Sequence, residues 1–264
     1  MKHTAKYHVH YHYTDRNFRL KLFYIAKYMQ ETALAAFDRL EAPRQELIDR
    51  GLAFILTKLS FRFDGEVKKF DEITVETWAL PFKSITFVRN YRVRNETTGE
   101  CAIRAASSWA LINISEKSIV RPDTLSANYT AMTDDEDIGF QPVRKIISMP
   151  ADDVLFNDSN LLFQKEILYS DIDENLHMNN TIYLDIIENA LWKIAGGVFP
   201  GKLRALDLSY NSGAAEGERL TVWGMREDAD NGTEIYVKGM IGSINCFDAK
   251  ALYGYHSDAQ TGLG

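Results

Sequence analysis

The stretch Tyr169-Ser170-Asp171-Ile172-Asp173-Glu174-Asn175-Leu176-His177-Met178-Asn179-Asn180-Thr181-Ile182-Tyr183 carries more information than any other part of the chain. Acid, amide and imidazole stand at alternate positions, and two asparagines follow where an amphipathic pattern begins. In an extended strand, alternate residues point the same way and rise ~3.3 Å each. On that reading Asp173, Asn175 and His177 converge beside a helix start, whose free N–H groups suit an oxyanion. That is the outline of an acyl-transfer site. Two plainer readings compete. Asp171-x-Asp173-x-Asn175 opens like a calcium loop, but Leu176 and Ile182 stand where such a loop needs Gly and Glu. An Asn-Asn pair that merely caps a helix is the stronger rival, because Asp and Asn are common in loops.

Working outward, the residues around this stretch form a plan that occurs twice. In the second half, Gln164 to Tyr169 reads as a strand, and the helix from about Thr181 has an apolar face of Ile182, Tyr183, Ile186, Ile187, Ala190, Leu191 and Ile194. It should end near Gly196-Gly197. Strands follow at Ala205 to Tyr210, Glu218 to Met225, Glu234 to Ile241 and Phe247 to His256. The first half opens with a polar strand, Tyr7 to Tyr13, in which Tyr13-Thr14-Asp15 matches Tyr169-Ser170-Asp171. Leu22, Ile25, Met29, Ala33, Ala36, Phe37 and Leu40 then give one helix face, with Pro43 as its stop. Strands are expected at Ala53 to Phe63, Glu72 to Trp78, Thr86 to Arg94 and Ala102 to Ile114, with a turn at 95–99. Glu31-Thr32-Ala33 and Glu188-Asn189-Ala190 fall at corresponding places.

A helix followed by an antiparallel meander, twice, is an α+β plan. A long helix wrapped by a curved antiparallel sheet is the hot-dog arrangement, so the expected architecture is a tandem, or double, hot-dog. The expected division is residues 1–121, a polar connector at 122–160 carrying Asp134-Asp135-Glu136-Asp137, and 161–264 with the catalytic signature.

Composition narrows the function classes. Of 264 residues, 45% are hydrophobic and 25% charged, the balance of a soluble globular protein. A net charge of −7 supplies no global field for nucleic acid or an anionic membrane. No apolar run reaches the ~20 residues of a membrane span, and Met1 to His8 has no signal-peptide core. Cys101 and Cys246 fit no metal spacing, and a reducing cytoplasm is the expected location. No cofactor or metal is expected. His8, His10 and His12 alternate in a way that could hold a metal, but an outward-facing polar strand explains them better.

The signature from Ser170 to Asn180, with Tyr183 and Glu188 on the following helix, resembles that of the fatty acyl-ACP thioesterase family of plants and bacteria. Asp71 to Trp78 and Ala106 to Asn113 resemble that family's strands in the first half, so the likeness spans nearly the whole chain. It implies a double hot-dog fold and hydrolysis of fatty acyl-ACP, which releases free fatty acid and ends elongation. It implies catalytic roles for Asp173, Asn175 and His177. The implied partner is acyl carrier protein with its phosphopantetheine-linked acyl chain. The chain itself would be a monomer with an internal pseudo-dimer, or a homodimer. A further family Glu, followed by Cys in the plant enzymes, aligns through Leu208-Ser209-Tyr210 with Gly213 and Ala214. Gly213 departs from the pattern, and Glu216 and Glu218 are the nearest carboxylates that could substitute.

The chemistry fits these residues. A thioester carbonyl is electrophilic and its thiol leaves readily, so the demand is for a base or nucleophile and for oxyanion donors. Neither cysteine lies near the signature. Asp173 is expected to activate water or attack directly, Asn175 to orient it, and His177 to transfer a proton or donate a hydrogen bond. Asn179 and Asn180 at the helix start, with Glu188 and Glu216, are candidate supporting groups, and Glu188 could orient catalytic groups. Residue types do not divide the work between Asp173 and His177. An acyl-CoA thioesterase on the same fold and a non-catalytic acyl-binding module are the alternatives.

Overall fold

A computed structural model describes residues 2–39, 43–81, 85–121, 124–125, 133–140, 142 and 148–254. The chain forms two units, one of residues 1–146 with 179–185 and one of 147–178 with 186–264. The first holds strands β1 (His3–His8), β2 (Leu52–Phe63), β3 (Glu72–Ala79), β4 (Thr86–Asn95), β5 (Glu100–Asn113) and β6 (Ser118–Val120), with helices α1 (Leu22–Phe37) and α2 (Pro43–Asp49). Its strands pair antiparallel in the order β1-β3-β4-β5-β2, with β6 added against β5. The second unit follows with the short α3 (Asp152–Leu155), then β7 (Leu161–Glu166), β8 (Lys202–Tyr210), β9 (Arg219–Ala229), β10 (Gly232–Ile241) and β11 (Ile244–Gly254). Its order is β8-β11-β10-β9-β7, again all antiparallel. Between β7 and β8 the chain runs through helix α4 (Asn180–Ile194). Strand for strand, the two orders are the same order. The internal duplication is therefore a property of the topology, and the architecture is a double hot-dog.

Local chemistry explains the elements. In β3, Ile73, Val75 and Thr77 are buried while Glu72, Thr74 and Glu76 alternate with them on the other face. In α1, Leu22, Ile25, Ala26, Met29 and Ala36 recur at helical spacing and are buried. Thr32 on the same face is also buried, and its hydroxyl is satisfied. It donates to the Tyr28 carbonyl at 2.6 Å and lies 2.9 Å from the Tyr7 hydroxyl of β1. Helix α4 buries Tyr183, Leu184, Ile186, Ile187, Ala190 and Leu191. It ends in a Schellman motif, where Gly197 N–H donates to Trp192 O and Gly196 N–H to Lys193 O. Both glycines have positive φ, 62° at Gly196 and 86° at Gly197.

The structure corrects several boundaries. The strand expected over Tyr7 to Tyr13 stops at His8, and Tyr11–Tyr13 is a single 3-10 turn. The strand expected to run to Tyr169 likewise stops at Glu166, with a 3-10 turn at Tyr169–Asp171. Asp15 therefore corresponds to Asp173, two residues away from the match with Asp171. Pro43 opens α2 rather than ending α1, since a first helical position needs no N–H. Leu40 and the end of the last expected strand, at His256, lie outside the described residues. The described part of the connector does more than cover the surface. Ile138 packs with Trp78 and Ala106, and Leu155 is fully buried. Lys2 bonds to Glu136 and Arg92 also donates to it at 2.5 Å, which together hold the Glu136 carboxyl down to about 2.

Packing is tight where β10 bulges between Gly239 and Met240. A Cβ at Gly239 would lie 2.1 Å from Cε1 of the buried Phe247 ring. Gly239→Ala should therefore cost about 1–3 kcal/mol through overpacking. For a chain of this size that lowers Tm by roughly 2–4 °C per kcal/mol. Gly242→Ala is the control, because a Cβ there meets nothing within 4 Å and only its φ of 56° is unfavourable. Thermal melts of the two variants should separate, with Gly239→Ala clearly the lower.

Candidate active site

Asp173, Asn175 and His177 do lie together, but not along an extended strand as their alternation predicts. They occupy a closed turn. Leu176 N–H donates to Asp173 O at 3.0 Å, Asp173 N–H donates to His177 O at 3.0 Å, and Ile172 bridges Met178 beneath them. The Asp173 carboxylate accepts from Asn175 N–H at 2.9 Å, the side-chain-to-backbone bond that makes Asp a good turn residue. Leu176 completes the turn at φ 61°, a left-handed conformation costing a branched residue about 1–2 kcal/mol. Backbone bonds of this kind hold the three residues together more firmly than strand alternation would.

The turn fixes the state of the imidazole. His177 Nδ1 lies 2.8 Å from the Asn175 carbonyl oxygen. A carbonyl only accepts, so Nδ1 carries the proton and Nε2 presents a lone pair in the neutral ring. The ring also lies against the backbone of Gly213, where an added Cβ would stand 2.7 Å from Cδ2 and 3.5 Å from Nε2. Gly213 and Ala214 are tied to the turn, because Met178 N–H donates to Ala214 O at 2.8 Å. Asp171, near the start of the signature, has a structural part. It is buried, pairs with Lys165 at 2.7 Å and accepts from Leu168 N–H at 3.0 Å.

Of the supporting candidates, Asn179 is the helix cap. Its Oδ1 accepts from Thr181 N–H at 2.9 Å and from the Thr181 hydroxyl at 2.7 Å. The Thr181 N–H, expected among the oxyanion donors, is thus already engaged. Asn180 begins α4, and Glu188 is half-buried within that helix. Glu216 is exposed and makes no hydrogen bond or ion pair among the described residues. Glu218 instead accepts from Ala215 N–H at 2.7 Å and closes the bend before β9. Neither carboxylate is bonded to the turn. Tyr183 is a core residue, as expected.

The first unit contains the same turn. Phe18 N–H donates to Asp15 O, Asp15 N–H to Arg19 O, and Thr14 bridges Leu20. The Asp15 carboxylate accepts from Asn17 N–H at 2.8 Å, and Phe18 stands at φ 63°. Arg19 takes the place of His177. It is ion-paired with Asp15 at 3.3 Å, so this copy keeps the acid and the amide and has a guanidinium in place of the imidazole. Sequence reading missed the copy because only Asp, Asn and the position of the following helix are shared. The spacing Asp-x-Asn-x-Arg/His before each helix is the signal that finds it.

His8, His10 and His12 stack instead of converging. His8 and His10 meet edge-on at 5.0 Å, His10 and His12 face each other at 5.7 Å, and His8 Nδ1 lies 2.6 Å from Glu72. Among the described residues no three His, Cys, Asp or Glu side chains are grouped to hold a metal. No described helix is long and apolar enough to cross a membrane.

Comparisons with known proteins agree with this fold. Residues 1–129 match the sequence model of the acyl-ACP thioesterase N-terminal domain, and residues 159–240 that of the C-terminal domain. A chloroplastic palmitoyl-acyl carrier protein thioesterase of Gossypium hirsutum is 25% identical over 214 residues, covering 76% of this chain. The chain spans 47% of that relative's length. An acyl-ACP thioesterase from Bacteroides thetaiotaomicron superposes with a TM-score of 0.75 at 20% identity, covering 95% of this chain and 97% of the other. A 12:0-ACP thioesterase from Umbellularia californica gives 0.79 at 16% identity, covering 95% and 93%. At these identities the superpositions establish the shared fold.

Both cysteines are free thiols, and burial raises both above the ordinary thiol range. Cys246, also facing the charge of Glu218, is pushed up to about 11. A thiol held that high stays protonated at neutral pH and is a poor nucleophile. Iodoacetamide at pH 8 should therefore leave thioester hydrolysis within about twofold of the untreated rate, as should Cys246→Ala. Rapid inactivation by alkylation would make a cysteine part of the site.

Proposed function

The chain belongs to the acyl-ACP thioesterase family, and we propose that it hydrolyses the thioester of a fatty acyl chain carried on acyl carrier protein. The products are free fatty acid and the carrier's free thiol, so the reaction ends chain elongation. The observation that carries this reading is the turn from Asp173 to His177, with Nδ1 of His177 bonded to a carbonyl and Nε2 left as an acceptor.

In the proposed step Nε2 takes a proton from water as the oxygen attacks the thioester carbon. The tetrahedral intermediate then collapses with loss of the thiolate, and the proton held on His177 passes to that sulfur. Asp173 closes the turn through Asn175 N–H. With Thr181 N–H engaged by its cap, the Gly213 amide is the donor assigned to the carbonyl oxygen, since it donates to nothing among the described residues. No cofactor enters the reaction. The cytoplasm suits a chain whose two cysteines are free.

The test is hydrolysis across matched acyl-ACP and acyl-CoA substrates with wild-type enzyme and turn variants. Asp173→Asn keeps an oxygen for Asn175 N–H and removes the charge, and activity should fall ~10²-fold or more. His177→Ala should do the same, and the double variant should lose less than the two combined, because the groups act as a unit. Asn175→Ala should be milder, since the carbonyl that holds His177 belongs to the backbone. Near-normal turnover by Asp173→Asn and His177→Ala would remove the catalytic assignment, and no thiol release at all from wild type would favour an acyl-binding module.

The carrier is acidic and this chain has a net charge of −7, so docking requires local Lys and Arg side chains. KM for acyl-ACP should rise with salt well beyond that for a small thioester, because screening shortens to ~8 Å at physiological ionic strength. An equal salt response would speak for acyl-CoA or another small thioester as substrate.

A further inference from the structure

We propose that Gly213 is the positioning residue of this site, a seat without a side chain that holds the His177 imidazole in its Nδ1-protonated form and keeps Nε2 open. The inference rests on the hydrolase reading for its kinetic consequence, but its structural content stands apart from that reading.

Three observations support it. First, Gly213 is glycine for reasons of space. Its backbone is not in the left-handed region, yet a Cβ would come within 2.7 Å of Cδ2, 3.3 Å of Cγ and 3.5 Å of Nε2 of His177. Carbon atoms in contact sit ~3.5–4.0 Å apart, so even a methyl group would drive the ring away by about 1 Å. Second, the ring is tied on its far side. On its other edge Nδ1 is tied to the Asn175 carbonyl at 2.8 Å, inside a turn closed by the Asp173–His177 and Asp173–Leu176 backbone bonds. Third, the seat is fixed to the turn. Met178 N–H, adjacent to His177, bonds to Ala214 O, while Asn211 and Ser212 N–H groups both donate to Cys246 O in β11. Backbone bonds therefore join the turn that carries the ring to the segment that carries Gly213.

The contact falls on the edge of the ring that includes Nε2. Any side chain at 213 would crowd the one nitrogen free to accept a proton and would displace the ring from its tautomer-fixing bond. A carboxylate at this position is incompatible with the present placement of His177. The chain has the imidazole where a side chain from 213 would otherwise reach.

The test combines nitrogen-15 NMR of the histidine rings with steady-state kinetics. His177→Gln identifies the His177 signals. In the wild type at a pH where the ring is neutral, His177 should show a protonated Nδ1 and an unprotonated Nε2. The opposite tautomer would overturn the proposal outright, whether or not the protein hydrolyses anything. Gly213→Ala should shift that pattern toward a mixture of tautomers and lower kcat by ~10–10²-fold, the scale of a ~1 Å misplacement, with KM for acyl-ACP within about twofold. Gly213→Glu should be at least as damaging. An unchanged nitrogen pattern in Gly213→Ala overturns the seat even if kcat falls, and unchanged kcat overturns it even if the pattern shifts. Should Gly213→Ala fail to fold, the wild-type tautomer measurement still decides. A wild type with the expected tautomer and no hydrolysis would retain the seat and reject the proposed function.

Discussion

The interaction on which this structure depends is a bond between an aspartate carboxylate and a backbone N–H two residues later. In each half the chain must leave its first strand, reverse, and enter a long helix within a few residues. Asp15 and Asp173 make that reversal possible by bonding Asn17 N–H and Asn175 N–H. The price is a left-handed residue, Phe18 or Leu176, that is not glycine. Strain of about 1–2 kcal/mol at such a position persists only where surrounding bonds over-determine it. Here the closing backbone bonds from Asp to Arg19 or His177 do so.

The proposed site in the second half follows from that constraint. The turn places the His177 ring where a carbonyl two residues back can fix its proton, and the last bond of the turn leads directly into the Asn179 cap of α4. The same turn in the first half ends in Arg19, whose guanidinium pairs with Asp15 and offers only N–H donors. One turn is therefore built twice, with a guanidinium in one copy and an imidazole in the other. Duplication also explains why the sheet orders coincide, β1-β3-β4-β5-β2 and β7-β9-β10-β11-β8. Each unit solves the same packing problem with different side chains.

Glycines mark the other tight places, for two different physical reasons. At Gly196 and Gly197 the requirement is conformational, since the Schellman ending of α4 needs positive φ. At Gly213 and Gly239 the requirement is steric, since His177 and Phe247 lie where a Cβ would be. The distinction is invisible in the residue name and decides what each substitution would do. The carboxylates near Gly213 show the same principle. Glu218 caps a bend and Glu216 faces solvent, so proximity in sequence to the site gave neither a place in it.

The sequence by itself determined the element order, the two helix faces and the duplication, because burial imposes periods of 3.6 and 2 that survive in the residue pattern. Leu22, Ile25, Met29 and Ala36 were readable as one face, as were Ile73 and Val75. It also placed Asp173, Asn175 and His177 together, since they are too close in sequence to separate. Their geometry came from the tertiary structure. Alternation is equally satisfied by a strand and by a closed turn, and only backbone bonds between Asp173, Leu176 and His177 choose the turn. The register of the repeat, Asp15 with Asp173, was likewise decided by those bonds rather than by residue identity. The contact between Gly213 and His177 joins residues far apart in the chain, and no local propensity encodes it. Tertiary packing alone brings that backbone against that ring.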